Sequence, residues 1–233
     1  MELLKATILG LLAGISGTFT GGLIVLYRFS NSLSKQSWLL GFSGGIMFAV
    51  VIFDLWPEAW YFGGFYPTAI GTGIGMVLVR YFDKILNLFP GILLGLGIGT
   101  HNFPEGVALG TTFIANPELK KWLGLALIMA LHNIPEGMVM ASAFKLANVS
   151  LVKILSALAL VELPMAFGGT VGALLGRLSP EMVSLSLGFA GGAMALLVVN
   201  ELLPMARRLA GAFWVGTGLM AGLFTGVLLV RIL

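Results

Sequence analysis

The chain contains no cysteine and only two histidines in 233 residues. The first absence excludes disulfides, thiolate metal sites and cysteine nucleophiles, and leaves the redox compartment unreadable. Charge is scarce as well: 10% of the residues carry one, against about a quarter in a soluble domain. Thirteen Lys and Arg with ten Asp and Glu cannot cover the water-facing surface of a chain this long. An ordinary cytosolic enzyme, a disordered tail and a nucleic-acid binder are thereby excluded. The net charge of +3 says little about an anionic partner, because a modest basic excess in a membrane protein reflects its cytoplasmic loops. What the chain has instead is apolar length, with 58% hydrophobic residues and a mean hydropathy of +1.01. This composition is that of an all-α integral membrane protein whose first partner is the lipid bilayer.

A helix needs about 20 apolar residues to cross the hydrocarbon core. Charge-free runs of that order occupy 6–27, 36–53, 59–79, 85–104, 182–200 and 209–230. The middle of the chain is equally apolar but is interrupted by Glu105, Glu136 and Glu162. Taking those three as intramembrane residues predicts eight transmembrane helices in a single domain over 1–233. They lie near 4–28, 37–60, 67–87, 91–114, 120–145, 150–176, 181–205 and 210–232. The first apolar run is too long for a signal peptide and no small-residue cleavage site follows it. With both termini outside, the inner loops hold Arg28, Lys35, Arg80, Lys84, Lys145, Lys153, Arg207 and Arg208. The outer side then keeps Lys5, Lys120, Lys121, Arg177 and Arg231, so the basic bias favours N-out and C-out. The 33 glycines suit close helix packing, and an aromatic belt that includes Trp38, Trp60, Tyr81 and Trp214 marks span ends.

Two internal repeats carry the functional signal. His101-Asn102-Phe103-Pro104-Glu105-Gly106 recurs 31 residues later as His132-Asn133-Ile134-Pro135-Glu136-Gly137. The stretch from Gly44 to Ala59 recurs from Gly191 to Ala206, with Asp54 opposite Glu201. In the eight-span topology each pair has one copy running outward and one inward. Inverted repeats with proline-broken helices and polar residues near the midplane are the sequence pattern of a secondary transporter.

In each hexad His and Glu are four apart and share a helix face, and Asn sits three before Glu. Imidazole nitrogen, amide oxygen and carboxylate oxygens without thiolate make a borderline site for Zn, Fe, Mn or Co. Pro104 and Pro135 each remove a backbone hydrogen bond, so a kink that widens the bundle is expected at both. Glu162, in Leu160-Val-Glu-Leu-Pro164, is a third intramembrane carboxylate. Each charged carboxylate at the bilayer centre costs about 2.5–3.5 kcal/mol on insertion scales, and a bridging cation relieves that cost. One or two metals are therefore expected among spans four, five and six. Asp54 and Glu58 toward the outer side, Glu201 toward the inner side, and Met47 deeper in the repeat are candidates for entrance and exit.

The paired hexads closely resemble the signature of the ZIP (Zrt/Irt-like protein) metal transporters, nearest to the bacterial ZupT-like branch, in which both copies read HNxPEG. The resemblance extends to Leu55-Trp-Pro57, to Leu202-Leu-Pro204 and to Glu162, so it covers essentially the whole chain. It implies a 3+2+3 arrangement of eight helices, spans one to three being related to spans six to eight. It also implies a two-metal centre, one metal on His101, Glu105, His132 and Glu136. The other takes Asn102, Glu105, Asn133, Glu136 and Glu162. It further implies movement of divalent metal (zinc first, then iron, manganese, cobalt or cadmium) into the cytoplasm, no cofactor, and a homodimer. The chain departs from many members in lacking a long His-rich loop between spans three and four, where only Asn87 to Pro90 connect them.

Three other functions fit parts of the pattern. Two histidines on neighbouring spans would suit axial ligation of haem in an electron carrier, which leaves the glutamates idle. Metal-activated water beside a glutamate would suit an intramembrane metallohydrolase, although no HExxH-type helix is present. A proton-coupled carrier of a non-metal solute would use the same carboxylates. The short loops suit a bacterial inner membrane.

Overall fold

A computed structural model describes residues 2–28, 32–86, 93–116 and 118–232, and every element among them is helical. In chain order these are α1 (Glu2–Arg28), α2 (Leu33–Val50), α3 (Trp56–Gly63), α4 (Phe65–Leu86), α5 (Leu93–Ala115), α6 (Leu119–Leu146), α7 (Leu151–Leu160), α8 (Leu163–Gly176), α9 (Pro180–Leu197), α10 (Leu203–Ala210) and α11 (Ala212–Ile232). Among the described residues six segments are long and apolar enough to cross a bilayer: Glu2–Tyr27, Leu33–Gly63, Lys120–Ser142, Leu151–Gly176, Pro180–Ala210 and Ala212–Ile232. Helices satisfy every interior backbone group within the segment, which is why such apolar runs adopt them in lipid. The connection around Asn87 to Pro90 lies outside the described residues.

The second sequence repeat is a repeat of backbone. An 18-residue helix (α2), a five-residue π-helical turn (Val51–Leu55) and an eight-residue helix (α3) lead to Gly64. An 18-residue helix (α9), a five-residue π-helical turn (Val198–Leu202) and an eight-residue helix (α10) lead to Gly211. Gly64 (φ 76°, ψ −166°) and Gly211 (φ 86°, ψ 175°) share a conformation open essentially to glycine alone. Each breaks the run and starts the next long helix. Asp54 and Glu201 occupy matching places in the two π turns.

Packing follows the same symmetry. α2 lies along α11 as α4 lies along α9, and α1 lies along α6 as α5 lies along α8. Exchanging α1, α2 and α4 for α8, α9 and α11, and α5 for α6, maps this set of pairs onto itself. Glycine allows the close approaches. A Cβ on Gly17 of α1 would stand 2.1 Å from the Ala130 carbonyl oxygen, and one on Gly106 of α5 would stand 2.1 Å from that of Met165. The largest buried cluster joins α2, α5, α6, α8 and α9 through Met47, Leu109, Met129, Met165, Leu187 and Met194.

α5 and α6 run through Pro104 and Pro135 as continuous helices. A further break comes between α7 and α8, where Pro164 occupies the first turn of a new helix. Glu162 N–H bonds the Ala159 carbonyl at 3.3 Å, and Met165 N–H bonds the Glu162 carbonyl at 3.1 Å. These tightened turns leave the Val161 carbonyl free of the helix ladder.

Candidate metal site

α5 and α6 each carry one hexad, and the α7–α8 break carries Glu162. Asn102, Glu105, His132, Asn133, Glu136 and Glu162 are all buried, none more than 5% exposed. Glu105, His132, Glu136 and Glu162 are close enough to interact electrostatically. The centre of the group is the pairing of His132 Nε2 with Glu105 Oε1 at 2.9 Å, which ties α6 to α5. The backbone of His101 lies in α5, and its side chain is outside the described residues. Among the described residues no three His, Asp or Glu side chains converge closely enough to hold a metal, and the closest pairing is that of His132 with Glu105.

The amide of Asn102 shows how the backbone shapes this set. Its Nδ2 donates to the Val161 carbonyl at 2.8 Å, the carbonyl released by the break before Pro164. Its donor is thus spent on the backbone while Oδ1 keeps no partner. Glu105 Oε2, Glu162 Oε2 and both side-chain polar atoms of Asn133 are likewise buried without a hydrogen-bond partner. Buried polar groups in folded proteins are almost always satisfied, and unsatisfied ones cost about 1–3 kcal/mol each. Four oxygen acceptors are in this condition, two of them on carboxylates.

Two hydroxyls that the motif reading did not single out complete the surroundings. Ser43 of α2 donates to Glu136 Oε1 and to the His132 carbonyl, both at 3.2 Å. Thr18 of α1 donates to Glu162 Oε1. Both are buried. A lone Ser or Thr in an apolar helix carries no spacing signal, and its partners lie far away in sequence, so only the folded chain reveals them.

The entrance and exit candidates lie apart from this group. Asp54 is half-buried in the first π turn. Glu58, one turn on in α3, is buried, paired with Lys121 Nζ at 3.2 Å, and accepts from Asn116 Nδ2. Lys121 and Asn116 were not predicted as partners from sequence. Glu201 is half-buried in the second π turn. Met47 and Met194 are fully buried in the main apolar cluster.

No protein-family model matches the chain. Individual curated proteins do. The chain is 34% identical to the zinc transporter ZupT of Salmonella arizonae, the match covering 87% of this chain and 86% of that one. It is 33% identical to zinc transporter ZupT of Escherichia fergusonii at the same coverage. Zinc transporter ZupT of Enterobacter sp. strain 638 is 34% identical, again over 87% and 86% of the two chains.

Proposed function

The chain belongs to the ZupT-like branch of the ZIP family, and from that premise we propose that it is a secondary transporter carrying zinc into the cytoplasm, with iron, manganese, cobalt and cadmium as further cargo. The observation that carries this reading is the buried set of unpartnered oxygens around the His132–Glu105 pair, on helices that cross the bilayer. Three buried carboxylates repel one another, and a divalent cation among them removes both the repulsion and the unmet acceptors. A neutral imidazole and two amides keep the site moderate in strength, which a carrier needs in order to release its cargo.

In this reading one metal takes His101, Glu105, His132 and Glu136, and a second takes Asn102, Glu105, Asn133, Glu136 and Glu162. His132 and Glu105 hold each other until a cation separates them, and the imidazole gives up any proton on Nε2 to water as the metal takes that nitrogen. Asp54, with Glu58 beside it, draws cations to the outer mouth, and Glu201 does so at the inner one. Met47 stands in α2 between Ser43 and the first π turn along the chain. The eight spans stand as 3+2+3 with both termini outside, in a bacterial inner membrane, as a homodimer. The exchange symmetry of the helix pairs supports the 3+2+3 grouping. It also supports alternating access over one-sided hydrolysis, because both halves present matching hinges and matching carboxylates to opposite sides.

The test is equilibrium dialysis of the purified protein against zinc, beside uptake into proteoliposomes with an entrapped metal dye. Two zinc ions per chain and a rising dye signal are expected. Uptake that chelators leave untouched, with no zinc retained in dialysis, would overturn the reading.

A further inference from the structure

Glu162, like Glu136 with Ser43, is held by a hydroxyl from outside the two hexad helices and its own chain segment. Its backbone sits at the α7–α8 break, and its side chain reaches α1. There Oε1 accepts from the Thr18 hydroxyl, while Oε2 lies against Gly14, where a Cβ would stand 1.9 Å away. Thr18 is 2% exposed and Glu162 1%. Gly17, between the two, lets α1 approach so closely that a Cβ there would stand 2.7 Å from the Asn133 Cβ. Gly14 and Thr18 are four apart on one face of α1, so the helix offers a notch, one open floor and one hydroxyl, shaped to a carboxylate.

Resting on the function proposed above, we propose that Thr18, with Gly14 as the floor of its notch, is a positioning residue for Glu162. The hydroxyl donates to Oε1 and fixes the plane of the carboxylate, while Oε2 lies buried without a hydrogen-bond partner. A carboxylate without that bond turns about its own side chain. It must then lose that freedom when cargo binds. The role belongs to α1, whose sequence contains no metal-ligand motif and none of the entrance candidates.

Three variants in proteoliposome zinc uptake test it. Thr18→Val keeps the branched shape and removes the donor, and is expected to raise KM for zinc about tenfold, the weight of a hydrogen bond to a charged group. Thr18→Ser restores the donor and is expected to stay within about twofold of wild type. Gly14→Ala fills the floor and is expected to raise KM as Thr18→Val does, which keeps the test open if the valine variant does not fold. In a Glu162→Ala background Thr18→Val is expected to add nothing further, since nothing is left to position. A wild-type KM in either Thr18→Val or Gly14→Ala, or an effect of Thr18→Val undiminished without Glu162, overturns the proposal. Absence of zinc uptake by the wild type is a separate result that overturns the transport reading itself.

Discussion

At the scale of single residues the site is a balance of charges that must all be answered inside a bilayer. Glu105 and His132 answer each other across α5 and α6, and removing one member of a buried pair costs about 3–5 kcal/mol because its partner is left alone. Glu105→Ala is therefore expected to lower the unfolding midpoint in detergent by an amount equivalent to about 3 kcal/mol. Adding His132→Leu should recover part of the loss, and a double variant less stable than Glu105→Ala would contradict the pairing. The hexads were legible in sequence because charge, imidazole and proline recur at fixed spacing in an otherwise apolar chain. Ser43 and Thr18 were not legible. Each is one small hydroxyl whose partner is brought to it by helix packing and by no local pattern.

At the scale of elements, proline and the π turns decide where backbone groups become available. A kink is expected from the sequence at Pro104 and Pro135, and both helices continue through those residues. The break falls before Pro164, and its freed Val161 carbonyl orients Asn102. Whether a proline bends, passes or ends a helix depends on the turns around it and on who takes the freed carbonyl, and neither is written in the residue itself. Pro164→Ala should let the helix close over Leu160 and Val161, draw that carbonyl back into the ladder and release Asn102. The expected result is zinc uptake reduced about tenfold with thermal stability unchanged or raised, read by uptake and a detergent melt. Uptake at the wild-type rate would show that the break does not shape the site. The repeat from Gly44 and from Gly191 was visible as matching residues, whereas the paired π turns were not. A π turn is one added residue in a helical ladder, and it leaves no mark in composition.

For the whole molecule, composition alone fixed the class, because 10% charge cannot clothe a water-soluble surface. The helical architecture followed from the apolar runs. The way helices pair did not, since most helix faces here are apolar and small-residue contacts allow the close approaches. The topology is open to a clean test because the chain has no cysteine of its own. Cysteine placed at Lys5 or Arg231 should react with a membrane-impermeant maleimide added to intact cells. Cysteine at Arg207 should react only after the membrane is opened. Labelling of the Arg207 position in intact cells would contradict the N-out and C-out arrangement.

The central claim is that divalent metal crosses through the repeated hexads. It is tested most directly by zinc uptake into proteoliposomes carrying wild type, His132→Ala or Glu136→Ala, each first shown to be folded and monodisperse. Uptake by the wild type and a loss of at least about tenfold in both variants are expected, since even losing an outer-shell partner of a metal ligand costs about 10–100-fold. Wild-type rates in both variants would mean that the hexads are structural and that the metal path lies elsewhere.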